Sequence, residues 1–304
     1  MKHAIITGST GLVGTSVARY LYSKGTEVLC LGRKDLQPIE INSHFGFKCT
    51  YLSLSMEDIS ELKEKLEAIE WTPSKSCVFY NFAWSGVNSL TDGDLEDQLK
   101  NSIYATNAVQ TAKEIGCHKF VNAGSLEETY AEEFLSDNTR QYNFGQSNYA
   151  VSKLASRNMC KMVAYLEKID YIHTRMSVPL CPSLSKGTYI ASTLKKILNG
   201  ESYEAPMNPQ LFDIITTDEV ANAYYLIGKK GMNKADYFIG TSRPDTLGGY
   251  FKKFKEYLQG NLSIEYNVQS KESNSIFDNS ELSNDTGFSV YKDFLESTST
   301  LPKK

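Results

Sequence analysis

The sequence predicts an α/β protein: a doubly wound parallel sheet followed by a smaller C-terminal lobe. Three observations lead there. Strand-like and helix-like patterns alternate through the first half of the chain, which argues for parallel strands covered by helices on both faces. A glycine-rich turn joins the first strand to the first helix. After about residue 178 the texture changes, with Pro179 and Pro182 breaking the alternation. The expected division is 1–177 for the sheet domain and 178–304 mainly for the lobe, with 211–240 returning to the sheet.

Taken in order, the expected strands are His3–Ile6, Glu27–Leu31, Lys48–Leu52, Cys77–Phe82, Lys119–Asn122 and Tyr171–Arg175. They alternate with helical stretches, as the strands of a parallel sheet joined by crossover helices do. Helical spacing fills the intervals at Leu12–Lys24, Met56–Ile69, Asp94–Ile115 and Ser147–Leu166. Gly25 and Gly116 stand just past two of these runs, where a left-handed helix stop is usual. Beyond the break, Tyr189–Asn199 and Asp218–Gly228 read as helices, and Leu211–Ile215 and Asp236–Ile239 as strands. From Gly260 the chain is polar, anchored by Phe277, Phe288 and Phe294, and Ser297–Lys304 is expected to fray.

Composition removes several function classes. With 304 residues and a formal net charge of −4, nothing pulls the chain as a whole toward nucleic acid or an anionic membrane. No apolar run is long enough to span a bilayer, and the first residues lead directly into a strand without a signal-peptide pattern. Six scattered cysteines without a C-x-x-C pair fit reduced thiols in a cytoplasmic protein, Cys181 among them as a structural thiol. The four histidines show no ligand spacing, so no metal site is expected.

The turn Thr7-Gly8-Ser9-Thr10-Gly11-Leu12-Val13-Gly14 carries the first chemistry. Gly8 permits a tight turn, Gly11 lets backbone approach a pyrophosphate, and Gly14 lets strand and helix pack closely. Phosphates would rest on the free N–H groups at the positive end of the helix. The following strand ends in Gly32-Arg33-Lys34-Asp35, so a basic side chain stands where a nicotinamide dinucleotide presents its 2′-position. Guanidinium pairs with phosphate in bidentate fashion, which favours NADP, with NAD possible through Asp35.

Tyr149 and Lys153 are spaced (i, i+4) at a helix start, which puts phenol and ammonium on one face. A nearby ammonium is expected to lower the tyrosine pKa toward the working pH, making it a proton donor and acceptor. Ser125, just past the fifth strand, lies where doubly wound sheets keep their ligands and can hydrogen-bond a substrate oxygen beside Tyr149.

With these residues in place, the chain resembles the extended short-chain dehydrogenase/reductases, the NAD(P)-dependent epimerase/dehydratase group acting on nucleotide sugars. The likeness runs through the Gly8–Gly14 turn, Tyr80-Asn81-Phe82-Ala83-Trp84-Ser85-Gly86, Asn101 and Asn107. It continues through Ala123-Gly124-Ser125, Tyr149-x-x-x-Lys153, Arg175 with Pro182, and Phe212–Asp218. Phe277-Asp278-Asn279-Ser280 and Gly287-Phe288 close the pattern.

The resemblance implies a Rossmann fold. Gly8–Gly14, Arg33, Lys34, Ala83, Asn101, Tyr149 and Lys153 would hold the cofactor, and Ser125, Tyr149 and Lys153 would be catalytic. Trp84, Ser125, Leu126, Glu127 and Val178 would face a nucleotide-sugar substrate. The nearest flavour is the NADP-dependent reductase of a 4-keto-6-deoxyhexose carried on a nucleotide, serving surface-polysaccharide synthesis. A 4-epimerase, a 4,6-dehydratase and a non-catalytic NADP-binding regulator are the alternatives. It also implies a homodimer through a bundle of the helices Asp94–Ile115 and Ser147–Leu166. Departures from the family pattern fall at several positions: Asn81 replaces a histidine common in the fourth-strand motif, Ser53 an aspartate for the adenine, Val178 an asparagine facing the nucleotide-sugar phosphates and Phe212 an arginine for the pyrophosphate. Glu127 could act as an elimination base; the expectation for Glu127 and Glu128 is an exposed loop.

Overall fold

The computed structural model describes residues 1–86, 93–137, 147–185, 187–264 and 276–301. The first half runs β1 (His3–Thr7), α1 (Leu12–Ser23), β2 (Glu27–Gly32), α2 (Pro38–Phe45), β3 (Thr50–Ser53) and α3 (Leu62–Ala68). It continues with β4 (Val78–Asn81), α4 (Leu95–Glu114), β5 (Lys119–Ala123), α5 (Leu126–Ser136), α6 (Ser147–Glu167) and β6 (Asp170–Met176). The remainder holds β7 (Val178–Leu180), α7 (Tyr189–Leu198), β8 (Leu211–Phe212), β9 (Ile214–Thr216) and α8 (Thr217–Lys230). Last come β10 (Asp236–Ile239), β11 (Asp245–Thr246), α9 (Leu247–Leu258), α10 (Ser280–Thr286) and α11 (Phe294–Ser299).

Seven strands form one parallel sheet in the order β10-β6-β5-β4-β1-β2-β3. The order reverses between β1 and β4, so the carboxyl ends of these neighbours open a crevice, the usual ligand position in such sheets. Alternation along each strand builds two cores. Ile6, Cys30, Tyr80, Val121 and Ile172 face α1 and α8, whereas Ile5, Leu29, Phe79, Phe120 and Tyr171 face α3, α4 and α6. A third cluster, with Leu194, Phe251, Phe254 and Phe294, holds the C-terminal elements together.

Several elements depart from the sequence reading. Leu211–Ile215 is not one strand: it breaks at Asp213, and its halves pair with β11 and β7 in separate two-stranded sheets. The buried Asp213 carboxylate accepts hydrogen bonds from the Thr241 N–H (3.0 Å) and hydroxyl (2.6 Å) and from the Ser242 N–H (2.8 Å). Such a group must turn inward, and the strand kinks around it. β10 joins the main sheet beside β6. Phe277, Phe288 and Phe294 are all buried. Residues 297–299, expected to fray, continue α11 with Thr298 fully buried, while 302–304 lie outside the described residues. No helix among the described residues is long and apolar enough to cross a membrane.

Candidate active site

The turn between β1 and α1 is tight enough to demand its glycines. Gly8 has φ +61°, and a Cβ there would lie 2.8 Å from the Ala83 nitrogen; a Cβ on Gly14 would lie 2.3 Å from the Gly8 carbonyl oxygen. Gly11 closes the turn, its N–H donating to the Gly8 carbonyl at 2.9 Å. α1 then begins with neither a side-chain cap nor an acid in its first turn. Its first N–H groups, from Leu12 through Gly14, are therefore left for an anion. Ser9 is buried with its hydroxyl on the Leu31 carbonyl at 2.9 Å, so it ties the turn to β2 rather than facing the cleft.

A cavity of about 440 Å³ runs over this turn, lined by Thr10, Gly11, Arg33, Ser55, Ala83, Trp84 and Asn101 among others. Arg33 and Lys34 are exposed just past the end of β2, and Lys34 borders a neighbouring cavity of about 510 Å³ with Thr10 and His44. Asn101 shapes the cleft wall: its carbonyl accepts the Ser85 N–H at 3.0 Å and its amide donates to the Ser85 carbonyl at 3.0 Å. Glycines that admit no Cβ, an uncapped helix start and a cation past β2 together fit a dinucleotide.

At the far wall stands Trp84. Its indole N–H donates to Gln98 at 2.7 Å, and its ring meets the Tyr149 ring edge-on at 5.9 Å and 87°. The Lys153 Nζ sits 3.8 Å from the Trp84 ring centroid and donates to the Ala123 carbonyl at 2.9 Å. Tyr149 hydrogen-bonds Ser125, the N-cap of α5. Elements far apart in sequence thus bring Ser125, Tyr149 and Lys153 to one corner.

The electrostatics differ from the sequence reading. Burial pushes the Tyr149 phenol up to about 12, against the pull of the Ser125 hydrogen bond and helped by the charges of Glu128 and Glu127. Burial also lowers Lys153 to about 8, with Glu128 opposing the fall. Desolvation dominates, and the pull downward on the phenol comes from the Ser125 hydroxyl rather than from the ammonium on which the expected lowering was built. At neutral pH the corner therefore holds a neutral phenol and an ammonium, a state set to give a proton.

The two glutamates are not on an exposed loop but in the first turn of α5. Glu127 is half-buried, its Oε2 is buried without a hydrogen-bond partner, and burial raises its carboxyl above the ordinary value. Glu128 is wholly buried. Leu126 packs with Phe238 and Phe277, leaving only its backbone toward the site. Val178 lies half-buried on β7 against the C-terminal cluster. Cys181 is half-buried, and hydrogen bonds from Ser183 and Ser185 outweigh burial to lower its thiol pKa, unlike an inert core thiol. The sequence reading missed His173, which grips both Glu128 oxygens at 3.0 Å. The S-x-x-E spacing of Ser125 and Glu128, a capping box, was the available signal.

Comparisons extend the geometry. Residues 4–240 match the model of the NAD dependent epimerase/dehydratase family. The CDP-abequose synthase of Salmonella muenchen is 22% identical over 283 residues, covering 91% of this chain and 88% of that protein. UDP-glucose 4-epimerase from Thermotoga maritima, solved with UDP-glucose, superposes with TM-score 0.70 at 16% identity, covering 98% of this chain and 96% of the other. UDP-N-acetylglucosamine 4-epimerase from Methanobrevibacter ruminantium superposes with TM-score 0.72 at 18% identity over 98% and 96% of the two chains. UDP-glucose 4-epimerase from Thermus thermophilus, solved with NAD, gives TM-score 0.70 at 16% identity over the same shares.

Proposed function

The chain belongs to the NAD dependent epimerase/dehydratase family as an enzyme of the extended short-chain dehydrogenase/reductase type, and from that premise we propose that it uses NADPH to reduce a keto group, at C4, of a nucleotide-linked deoxysugar. The observation that carries this reading is the corner of Ser125, Tyr149 and Lys153 beside a dinucleotide cleft, with the phenol protonated at neutral pH. A relative named for a CDP-linked product supports the substrate class. A cytoplasmic site of action is in keeping with six free cysteines.

The turn at Gly8–Gly14 and Arg33 would hold a nicotinamide nucleotide, which when bound would supply the hydride for the carbonyl carbon. This chain supplies the rest. The Tyr149 hydroxyl gives its proton to the carbonyl oxygen, and Ser125, already hydrogen-bonded to Tyr149, orients that oxygen. Lys153, held on Ala123 and Trp84, faces the phenolate left behind and stabilises it until solvent returns the proton. Trp84 walls the corner, and the low dielectric strengthens each of these interactions.

Arg33 is the residue on which cofactor choice rests. A charge-assisted hydrogen bond contributes roughly 1.5–3 kcal/mol, so Arg33→Ala should raise the KM for NADPH about tenfold to hundredfold. The KM for NADH should move little, and an unchanged NADPH-to-NADH ratio would remove the NADP reading. The function itself is tested by NADPH consumption with a panel of 4-keto sugar nucleotides. NAD retained by the purified protein through gel filtration, without such consumption, would favour an epimerase or dehydratase. The dehydratase is the second reading because of Glu127, whose raised carboxyl, with Oε2 buried and without a hydrogen-bond partner and its charge felt by Tyr149, has the properties of a proton-transfer group.

A homodimer accompanies the proposal. α4 and α6 pack together and leave Leu99 and Ile103, and Met159, Met162 and Leu166, exposed on their outer faces. Met162→Glu should convert a dimer in light scattering into a monomer with its fold retained. A wild-type monomer at micromolar concentration would refute the dimer.

A further inference from the structure

Behind the catalytic corner lies a buried polar pair with no role in the reaction as described. Glu128, on α5, is 0% exposed, and His173, on β6, is 2% exposed. The His173 Nε2 lies 3.0 Å from both carboxylate oxygens, so it donates to the carboxylate in a forked bond. One of these oxygens also accepts the backbone N–H of Ser125 at 2.7 Å. The other imidazole nitrogen reaches the Tyr171 hydroxyl at 3.2 Å and the Asn122 amide at 3.5 Å. Asn122 in turn accepts from Asn81 at 2.9 Å, and Asn81 from Thr7 at 2.7 Å, directly before the phosphate turn. The pair passes so close under Gly124 that a Cβ there would lie 2.0 Å from Glu128 Oε1 and 2.3 Å from His173 Nε2.

We propose, resting on the reading of Ser125, Tyr149 and Lys153 as the reacting corner, that Glu128 and His173 form its positioning device. The Glu128 carboxylate holds the Ser125 N–H at one end of the Ala123–Ser125 turn, and Lys153 is seated on the Ala123 carbonyl at the other end, so the buried negative charge acts on the ammonium across that short turn. A capping box alone does not account for the arrangement. Such boxes sit at the surface, where a glutamine at the third helical position serves as well as a glutamate. Here the carboxylate is enclosed, and a buried charge is tolerated only against compensating partners.

Lys153 meets the charge of Glu128 from α5 and the thiol of Cys160 from its own helix, with the Tyr149 and Trp84 rings above it. α4 contributes the neutral Ser102, whose hydroxyl donates to the Ser152 carbonyl, and Thr106, near Cys160. Glu128 meets His173 and Lys153, and its charge also reaches Arg157 on α6 and Tyr171 on β6. Burial alone would drive the Glu128 carboxyl up; His173, the Ser125 N–H and Lys153 hold it below its ordinary value, so it carries charge at working pH. Removing that charge leaves burial opposed only by the Cys160 thiol, so the Lys153 pKa falls further.

Trp84 makes this measurable without substrate, because the ammonium lies over its ring. In a Trp71→Phe background Trp84 is the sole tryptophan, and its fluorescence in the cofactor-free enzyme should titrate with a midpoint near 8. Glu128→Gln keeps the capping box and removes the charge, so the midpoint should drop by about one pH unit or more. The alkaline limb of kcat should move down with it, whereas Glu128→Asp should restore most of the shift. A folded Glu128→Gln with an unmoved midpoint overturns the proposal. Should that variant not fold, the double variant Glu128→Gln, His173→Asn, amide against amide, takes its place with the same criterion. If neither folds, the pair serves stability and the proposal falls. Absence of keto-sugar reduction by the wild type would sink the reductase reading alone, since the fluorescence titration decides this one independently.

Discussion

Tyr149→Phe is expected to lower kcat by about 10²–10⁴-fold, the usual worth of a positioned general acid, while NADPH binds as before. The phenyl ring keeps the edge-on contact with Trp84 and the packing of α6 on its neighbours, so only the hydroxyl is lost. In the proposed reaction that hydroxyl is the proton source for the carbonyl oxygen, and Ser125, hydrogen-bonded to it, orients that oxygen. The pH dependence carries a sign. The proposed reduction needs Tyr149 protonated and Lys153 charged. Tyr149 near 12 remains protonated through the physiological range, and Lys153 near 8 sets the limit. Reductive turnover should therefore hold from about pH 6 to 7 and fall as the pH rises through about 8. Rapid-mixing measurements of NADPH oxidation across that range check both statements. A Tyr149→Phe protein that keeps its full biological effect would instead identify a non-catalytic NADP-binding regulator.

The central strands β1, β2 and β4 were legible because both faces are covered, so they read as short apolar runs. The phosphate turn was legible because its glycines are dictated by contacts within ten residues and one neighbouring strand. Other features depend on partners far along the chain. α5 looks like an acidic loop until Glu128 turns inward to His173, 45 residues away, and Leu126 packs beneath Phe238 and Phe277. The break at Asp213 is set by Thr241 and Ser242, which no local periodicity reveals. The direction of the Tyr149 shift was misread for a related reason. Spacing on a helix shows that an ammonium is near; how much water is excluded is decided by Trp84, α5 and β5 together. Local chemistry was readable in the sequence, whereas desolvation is a property of the assembled corner.

The same distinction predicts which glycine matters most. Gly14→Ala should abolish measurable NADPH binding, because its Cβ would lie 2.3 Å from the Gly8 carbonyl oxygen and 2.9 Å from the Ser9 Cα. Both are backbone atoms of the phosphate turn, so no side-chain rotation relieves the clash. Either α1 withdraws from the turn or the turn opens, and in both cases the N–H groups that would hold the pyrophosphate lose their common centre. Overpacking of this kind costs about 1–3 kcal/mol of stability. Gly25→Ala is the matched control. It places a methyl in open space at φ +78°, so it carries only the left-handed strain of roughly 1–2 kcal/mol, far from the cleft. The two variants should thus melt at similarly reduced temperatures, yet only Gly25→Ala should regain stability when NADPH is added. Equal thermal shifts with NADPH in both would show that the pyrophosphate does not rest on this turn. The cofactor would then have to lie elsewhere along the crevice between β1 and β4.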